Sequence, residues 1–139
     1  MSLFEKAKKF FTSCESLEGW DACKGLVAEN AKFDCQSEAL IEVKTVNGYV
    51  DWVTGLGTVT APGSSYKLHA AGFDEAKKTA IFFATYTATH TGEGGPVSPT
   101  GKTTNTDYVY SIQMNDDGKV VSMTKIWNAP WAFRELGWM

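Results

Sequence analysis

The feature that most limits how this chain can fold is a series of long strand-like segments joined by turns. A Gly- and Pro-rich segment, residues 90–102, separates two long stretches in which residue character alternates with a period of two. An Asp117-Gly118 pair separates the second of these stretches from a third. Such alternation is typical of strands with one buried face, and an Asp-Gly pair between strands favours a hairpin. The second half of the chain is therefore predicted to form an antiparallel meander.

Four stretches carry the alternation: 66–73, 79–91, 102–114 and 119–128. In the second, one set of alternating positions combines small and large residues, as a cavity wall does, and the other set ends in four successive threonines. We expect the first set to face inward. It comprises Ala80, Phe82, Ala84, Tyr86, Ala88 and His90.

The first half of the chain has helical spacing instead. Residues 3–17 repeat apolar side chains at steps of three and four, after a Ser2–Glu5 capping box. A short helix around residues 20–27, a strand at 31–35 and a third helix around 49–56 are expected to follow. Pro130 and Gly137 frame a short closing helix.

This order of elements predicts one α+β domain spanning residues 1–139. Three N-terminal helices are expected to pack on a strongly curved, antiparallel or mixed sheet. A sheet curved around helices leaves a cone, and its open end suits a small molecule because side chains converge there without filling the space. The segment 92–101 lies where it could act as a mobile lid over that opening.

Composition excludes several classes of function. The net charge is -3 and the cationic residues are scattered, so we expect no nucleic-acid partner. No apolar run approaches the roughly twenty residues that cross a bilayer, so we expect no membrane partner and a cytoplasmic location. Cys14, Cys23 and Cys35 are odd in number and lack metal-ligand spacing, which indicates buried thiols rather than disulfides or a zinc site. Neither a metal nor an organic cofactor is expected.

Several fragments together resemble a known family. They are the loop from Thr91 to Lys102, the turn Gly118-Lys119-Val120, the endings Ile126-Trp127-Asn128 and Arg134–Gly137, and, more loosely, Trp20–Cys23 and Tyr49–Trp52. In this order they resemble the SnoaL-like polyketide cyclases of the NTF2-like (nuclear transport factor 2-like) superfamily. The resemblance implies a cone with an internal pocket and a homodimer formed through the outer sheet faces. It also implies an acidic residue near the end of the last strand, where this chain has Asn128.

Three residues are candidates for proton transfer. His90 at the pocket rim could donate to a carbonyl or move a proton near neutral pH; alternatively, it is a strand-end histidine bonded to the loop or to water. Asp107, if it points inward, is the only strand carboxylate after the long loop that could replace the missing acid; if outward, it is a solvated charge. Asn128 cannot accept a proton at physiological pH, but we expect it to face the ligand while holding the turn before Pro130.

Aromatic residues are candidates for the pocket wall. Tyr49 and Trp52, on the third helix, are expected near a bound ligand, and Trp20, Phe82 and Tyr86 complete the predicted pocket. For most of the aromatic residues, packing in the core or a dimer is the alternative interpretation.

Two kinds of function follow. The first is a cofactor-independent proton-transfer enzyme, of cyclase or isomerase type, acting on a small, largely apolar, carbonyl-bearing molecule. Here His90 and Asp107 exchange protons, while Tyr86 or Asn128 polarises an oxygen. The second is a non-catalytic small-ligand-binding or dimerisation module, which the missing acid at Asn128 favours.

Overall fold

The computed structural model describes all 139 residues, and its first helix begins at the predicted cap, whereas the third begins three residues earlier than predicted. Helix α1 (Leu3–Glu15) starts at the capping box, where Ser2 Oγ accepts from the Glu5 N–H at 3.1 Å and Glu5 accepts from the Ser2 N–H at 3.3 Å. It ends two residues earlier than predicted, since Leu17 adopts a left-handed backbone with φ 61°. Helix α2 (Trp20–Cys23) continues into a 3-10 turn, Lys24–Leu26.

Helix α3 (Val46–Gly55) begins at Thr45, whose hydroxyl accepts from the Gly48 N–H. It runs on into a five-residue π-helical segment, Leu56–Thr60. Helix α4 (Ala129–Leu136) closes the chain and ends at Gly137, whose φ of 76° suits a glycine C-cap. None of these helices has the length and apolar character that crossing a membrane requires.

Five strands form one curved mixed sheet. They are β1 (Val27–Cys35), β2 (Ser65–Asp74), β3 (Thr79–Thr89), β4 (Thr103–Met114) and β5 (Val120–Trp127). Strands β2 to β5 form the predicted antiparallel meander, and β1 adds a parallel neighbour to β5, giving the order β1-β5-β4-β3-β2. Register irregularities in β2 and β5 increase the local twist of the sheet.

The core lies between the concave face of this sheet and helices α1 and α3. Phe11 of α1 stacks on Phe82 of β3, and Phe33 of β1 stacks on Tyr49 of α3, each with ring centroids 4.5 Å apart. The whole predicted inner face of the second stretch, from Ala80 to His90, is buried. The predicted fold class, an α+β cone with three N-terminal helices packed on the sheet and a short C-terminal helix, is confirmed.

Candidate functional site

An apolar cavity lies inside the cone, enclosed by α3, α4 and the concave faces of β3, β4 and β5. Its volume is about 40 Å³, enough for a few water molecules. Most of the wall is hydrophobic, but its polar members are unusual in being charged or phenolic. They include Glu15, Tyr49, Tyr86, Tyr108, Tyr110 and Lys125.

Five of these polar side chains form one hydrogen-bonded chain, which we call the tyrosine relay: Lys125, Tyr49, Tyr110, Glu15 and Tyr108. Lys125 Nζ donates to Tyr49 Oη at 3.0 Å, and the Tyr49 and Tyr110 hydroxyls are hydrogen-bonded to each other. Tyr110 donates to Glu15 Oε2 at 2.9 Å, and Tyr108 donates to Glu15 Oε1. The relay therefore links a buried amine to a buried carboxylate through two phenols.

The number of hydrogens sets the direction of every bond in the relay. A phenol has one hydrogen to donate, and Tyr110 gives its hydrogen to Glu15. Tyr49 must therefore donate to Tyr110, and it accepts in turn from Lys125. All three donors between the amine and the carboxylate point toward Glu15, which matches an ammonium at one end and a carboxylate at the other.

Burial perturbs both ends of the relay. Glu15 is 1% exposed, and this burial raises the pKa of its carboxyl, against the opposing effects of the Tyr108 hydrogen bond and the Lys125 charge. Lys125 is 7% exposed, and burial lowers its pKa to about 8, although the charge of Glu15 acts in the opposite direction. Both shifts move the pair toward neutral pH, where catalytic acids and bases work best.

Aromatic rings surround the Lys125 ammonium. Nζ lies 4.2 Å from the centroid of the Trp127 ring and 5.3 Å from that of Trp52. Aromatic faces attract a cation, so these rings favour the charged form. Desolvation is the larger influence, since the net effect on the pKa of Lys125 is a decrease.

Local patterns explain how the relay is assembled, and they contain the signal that sequence analysis missed. Glu15 lies one helical turn after Phe11 on the buried face of α1. Lys125 stands between Met123 and Trp127, so it interrupts an apolar run of alternate positions on β5. A charged residue in the middle of an apolar face is a signal for a buried functional group, and neither residue was among the predicted site residues.

Three predicted pocket residues do line the cavity. Tyr49 belongs to the relay, and Trp52 and Tyr86 lie on the wall. Burial raises the pKa of Tyr86 to about 12, although the nearby Ser64 hydroxyl acts in the opposite direction. The Ser64 hydroxyl donates to Ala61 O at 2.6 Å, and no group makes a hydrogen bond of good geometry to the Tyr86 hydroxyl. A neutral phenol left without an acceptor is a donor available to a ligand. Contact between these residues and a ligand stays a prediction.

The other predicted pocket residues belong to the core instead. Phe82 is fully buried against Phe11, and Trp20 is a partly buried residue that packs against the main hydrophobic cluster. Neither side chain lines the cavity. Both residues therefore pack in the core, Phe82 on β3 beneath α1 and Trp20 on α2 at the edge of the hydrophobic cluster.

His90 is inward and fully buried, but it does not line the cavity. Its Nδ1 accepts from Trp138 Nε1 at 2.9 Å and from the Thr100 N–H at 3.3 Å. Two donors on Nδ1 place the ring hydrogen on Nε2, which has no partner and faces Gly95. His90 is thus a strand-end histidine bonded to the loop, outside the cavity wall, and its predicted catalytic role stays a prediction.

Asp107 and Asn128 both lie outside the cavity, so their assignments as site residues are corrected. Asp107 pairs with Thr85 on the outer sheet face and accepts from its hydroxyl at 2.6 Å. Asn128 is exposed, and its Oδ1 accepts from the Trp131 N–H at 3.3 Å, which caps α4. Its predicted role in holding the turn is confirmed, whereas its predicted ligand-facing position is wrong.

The reason for both errors is register. Pairing places Tyr108 opposite the inward Ala84, so the preceding Asp107 must face outward. An irregularity beside Val120 shifts the alternation in β5, so Val120 and Met123 are both buried while Ile126 is exposed.

Aromatic and aliphatic side chains separate the cavity from solvent. Four half-buried residues line both the cavity and a surface groove of about 520 Å³ beside the loop residues Gly94 to Pro96. We call these four the gate: Trp52, Leu56, Phe133 and Trp138. The loop is fastened beside them by hydrogen bonds from Gly92 N–H to Thr60 O and from Gly101 N–H to His90 O, each at 2.9 Å. The predicted lid segment thus lies next to the mouth, and its mobility stays a prediction.

Cys14, Cys23 and Cys35 are free and buried, as predicted. No three His, Cys, Asp or Glu side chains come together in an arrangement that could hold a metal ion.

Helices packed inside a curved mixed sheet, around a cavity closed by a C-terminal helix, define a cone-shaped α+β protein. A protein from Jannaschia sp. CCS1 designated a SnoaL-like polyketide cyclase matches with a TM-score of 0.78 and 15% identity, over 96% of this chain and 90% of that one. A protein from Bacillus subtilis designated an isomerase matches with a TM-score of 0.76 and 18% identity, over 100% and 98%. IdmH from Streptomyces antibioticus, designated a polyketide cyclase, matches with a TM-score of 0.75 and 15% identity, over 99% of each chain.

No family model and no curated protein sequence matches this chain. The chain nevertheless has the NTF2-like fold found in SnoaL-like polyketide cyclases, as the sequence resemblance predicted. At these identities the likeness is one of fold, and chemistry has to be argued from the site.

Proposed function

We propose that this protein is a cofactor-independent proton-transfer enzyme of isomerase or cyclase type, acting on a small carbonyl compound inside the cone. The observation that carries the proposal is the tyrosine relay on the wall of an otherwise apolar cavity. Proteins of the same fold designated a polyketide cyclase and an isomerase support this reaction class.

Glu15 is the proposed base. A carboxylate in apolar surroundings has a raised pKa, and the free lone pairs of Glu15 can accept a proton from carbon next to a carbonyl. The negative charge then moves to the carbonyl oxygen of the substrate. Lys125 and the unpartnered Tyr86 hydroxyl both line the cavity and are the proposed donors to that oxygen.

The size of the cavity limits the substrate. About 40 Å³ does not admit an organic molecule until the gate moves, so binding requires Trp52, Phe133 or Trp138 to change position. The apolar wall that the gate provides would then contact the hydrocarbon part of the substrate. A small, largely apolar ligand is the class that this interior suits.

A homodimer through the outer sheet face belongs to the same proposal. That face exposes Ile81, Phe83 and Ile126, which are 42%, 40% and 63% exposed. Three free cysteines fit the cytoplasmic location that we also propose, because a reducing compartment keeps thiols unpaired.

Exchange of hydrogen for deuterium next to a carbonyl tests the base directly. Cyclohexanone and 2-tetralone are incubated with the protein in D2O, and loss of the α-proton signals is followed by NMR. We expect Glu15→Gln to slow exchange by about a hundredfold or more, the range of general-base catalysis. Asp107→Asn is the matched control, since it makes the same acid-to-amide change on the outer face.

Retention of exchange in Glu15→Gln would contradict the role of Glu15. No acceleration by the wild-type protein with either ketone would contradict the proposed function, leaving a non-catalytic module. Circular dichroism of each variant checks that the fold is intact.

A further inference from the structure

We infer that Lys125 is an amine nucleophile that forms a covalent imine with aldehydes or ketones entering the cavity. This inference deepens the proposed function and rests on it for the carbonyl substrate. The cavity wall places the Lys125 side chain where a carbonyl carbon would arrive, among Tyr49, Trp52 and Trp127.

The surroundings of Lys125 differ from those of the paired lysines on the surface. Lys24 and Lys78 contact carboxylates directly, at 3.3 Å from Asp21 and 2.7 Å from Asp116. No carboxylate oxygen lies within 4.0 Å of Lys125 Nζ, whose one hydrogen bond goes to the neutral Tyr49 hydroxyl. A buried amine without a carboxylate in contact is the arrangement in which lysine becomes a nucleophile.

The tyrosine relay supplies a destination for the proton that the amine must lose. One hydrogen passes from Lys125 to Tyr49, a second from Tyr49 to Tyr110, and a third from Tyr110 to Glu15. The result is a neutral amine and a neutral carboxylic acid in place of two buried charges. Burial favours that state, in line with the lowered pKa of Lys125, about 8, and the raised pKa of Glu15.

The phenol of Tyr49 next prepares the attack. After the transfer, the hydrogen of the Tyr49 hydroxyl points at the lone pair of Lys125. When this hydroxyl rotates toward the substrate, it frees the lone pair and can donate a hydrogen bond to the carbonyl oxygen. The lone pair forms a bond to the carbonyl carbon, and the π electrons of C=O move to oxygen. That oxygen gains a proton from Tyr49 and the nitrogen loses one to it, which gives a neutral carbinolamine.

Loss of water completes the step. Glu15 returns its proton along the relay to the carbinolamine hydroxyl, the C–O bond breaks as water leaves, and the nitrogen lone pair forms the C=N bond. Overall, a lysine ammonium and a carbonyl become a protonated imine and water, with no oxidant or reductant. Glu15 is again a carboxylate, ready to take a proton from the carbon beside the imine, whose positive charge makes that carbon more acidic.

The same geometry selects the carbonyl compound. The wall is mostly hydrophobic, and its two charges, Glu15 and Lys125, balance each other. A keto acid would bring an additional, unbalanced carboxylate into this low-dielectric space, which is unfavourable. We therefore expect neutral, small aldehydes and ketones to react, in preference to carboxylate-bearing ones.

Pentane-2,4-dione is the first probe, because it condenses with a neutral amine and loses water to give a conjugated enaminone with near-ultraviolet absorbance. The wild-type protein is treated at about pH 7.5, and peptide mapping by mass spectrometry locates the adduct. With a pKa of about 8, Lys125 has a neutral fraction on the order of a hundredfold greater than that of an ordinary lysine. We expect its peptide to be labelled at least about tenfold faster than those of the exposed Lys24 and Lys78.

Acetaldehyde with sodium cyanoborohydride is a second, smaller probe, which traps the imine as a stable N-ethyl group. Lys125→Met should lose the adduct and the absorbance, whereas Lys78→Met should keep both. Tyr49→Phe interrupts the relay without removing the amine, so labelling of Lys125 should slow and move to higher pH. A purely structural tyrosine would leave that pH profile unchanged.

Absence of label on Lys125 with both probes, while exposed lysines react, would overturn the inference. Labelling of Lys125 without α-proton exchange would uphold the imine and contradict the proposed function. Exchange without labelling would uphold the proposed function alone.

Discussion

At the scale of single residues, the molecule keeps two opposite charges deep in its interior without direct contact. Glu15 and Lys125 are connected through two phenols, and burial raises the pKa of Glu15 and lowers that of Lys125 to about 8. Neither residue was predicted, because helical spacing and strand alternation identify faces by their apolar members. A charged residue that interrupts such a face was the signal in the sequence, but only the fold shows that these two residues meet at one cavity.

The pH dependence of stability should reveal Lys125. The pKa of this amine is about 8 in the folded protein, below its ordinary 10.5. Between these values the unfolded chain binds a proton that the folded protein lacks, so this group makes stability rise with pH through the window. Below about pH 8 Lys125 is protonated in both the folded and the unfolded protein. Burial of its ammonium then lowers the free energy of unfolding by the full amount, on the order of 3 kcal/mol.

Other buried groups titrate nearby, so the measurement is a difference. Burial also raises the pKa values of Cys14, Cys23 and Cys35, which makes stability fall at alkaline pH. Urea unfolding from about pH 7 to 10.5 should therefore be compared between wild type and Lys125→Met, whose free-energy difference should shift in favour of the wild type as pH rises. Lys78→Met, at a surface ion pair, should show no such trend. A flat difference for Lys125→Met would contradict the lowered pKa.

At the scale of elements, periodicity predicted the strands and most of their faces, but not their registration. The inner face of β3 was predictable because small and large residues alternate without interruption from Ala80 to His90. The orientation of β4 was not, since a ten-residue loop sets no register and only the Thr85–Asp107 pairing decides it. The prediction that Asn128 faces the ligand was wrong for a related reason, because local pattern cannot show the irregularity beside Val120.

The loop that borders the gate gives a prediction at this scale. A Cβ added at Gly92 would lie 1.8 Å from the backbone oxygen of Val59, so the loop and the π-helical segment would have to separate. We expect Gly92→Ala to lower the free energy of unfolding by about 1–3 kcal/mol, the range of overpacking. Gly72→Ala is the control, because nothing lies within 4 Å of its added Cβ. Equal urea midpoints for the two variants would contradict this packing.

At the scale of the whole molecule, the order of helices and strands was sufficient to predict the cone. When a helical half is followed by an antiparallel half, the helices cover one face of the sheet and the other face stays uncovered within the chain. The volume left inside was beyond prediction, because it depends on how Trp52, Phe133 and Trp138 close the mouth.

The outer sheet face gives the prediction for assembly. We expect the wild-type protein to sediment with twice the 15.2 kDa mass of the chain in analytical ultracentrifugation. Phe83→Asp should shift it toward the monomer, because a charge placed among Ile81 and Ile126 would be buried without a partner. Val59→Asp, at an exposed site away from the sheet, should leave the mass unchanged. A monomeric wild type, or a dimeric Phe83→Asp variant, would rule out this interface.

The uniform orientation of the hydroxyls in the tyrosine relay restricts what the interior can accomplish in one cycle. After a proton has passed from Lys125 to Glu15, the hydroxyl hydrogens of Tyr49 and Tyr110 point toward Lys125 instead of Glu15. A second proton cannot follow until the first returns or each hydroxyl rotates. The relay can therefore carry one proton from Lys125 to Glu15, and the orientation of its hydroxyls is restored only when that proton returns. Loss of water from the carbinolamine returns that proton through Tyr110 and Tyr49, so one round of imine formation restores the starting orientation of both hydroxyls.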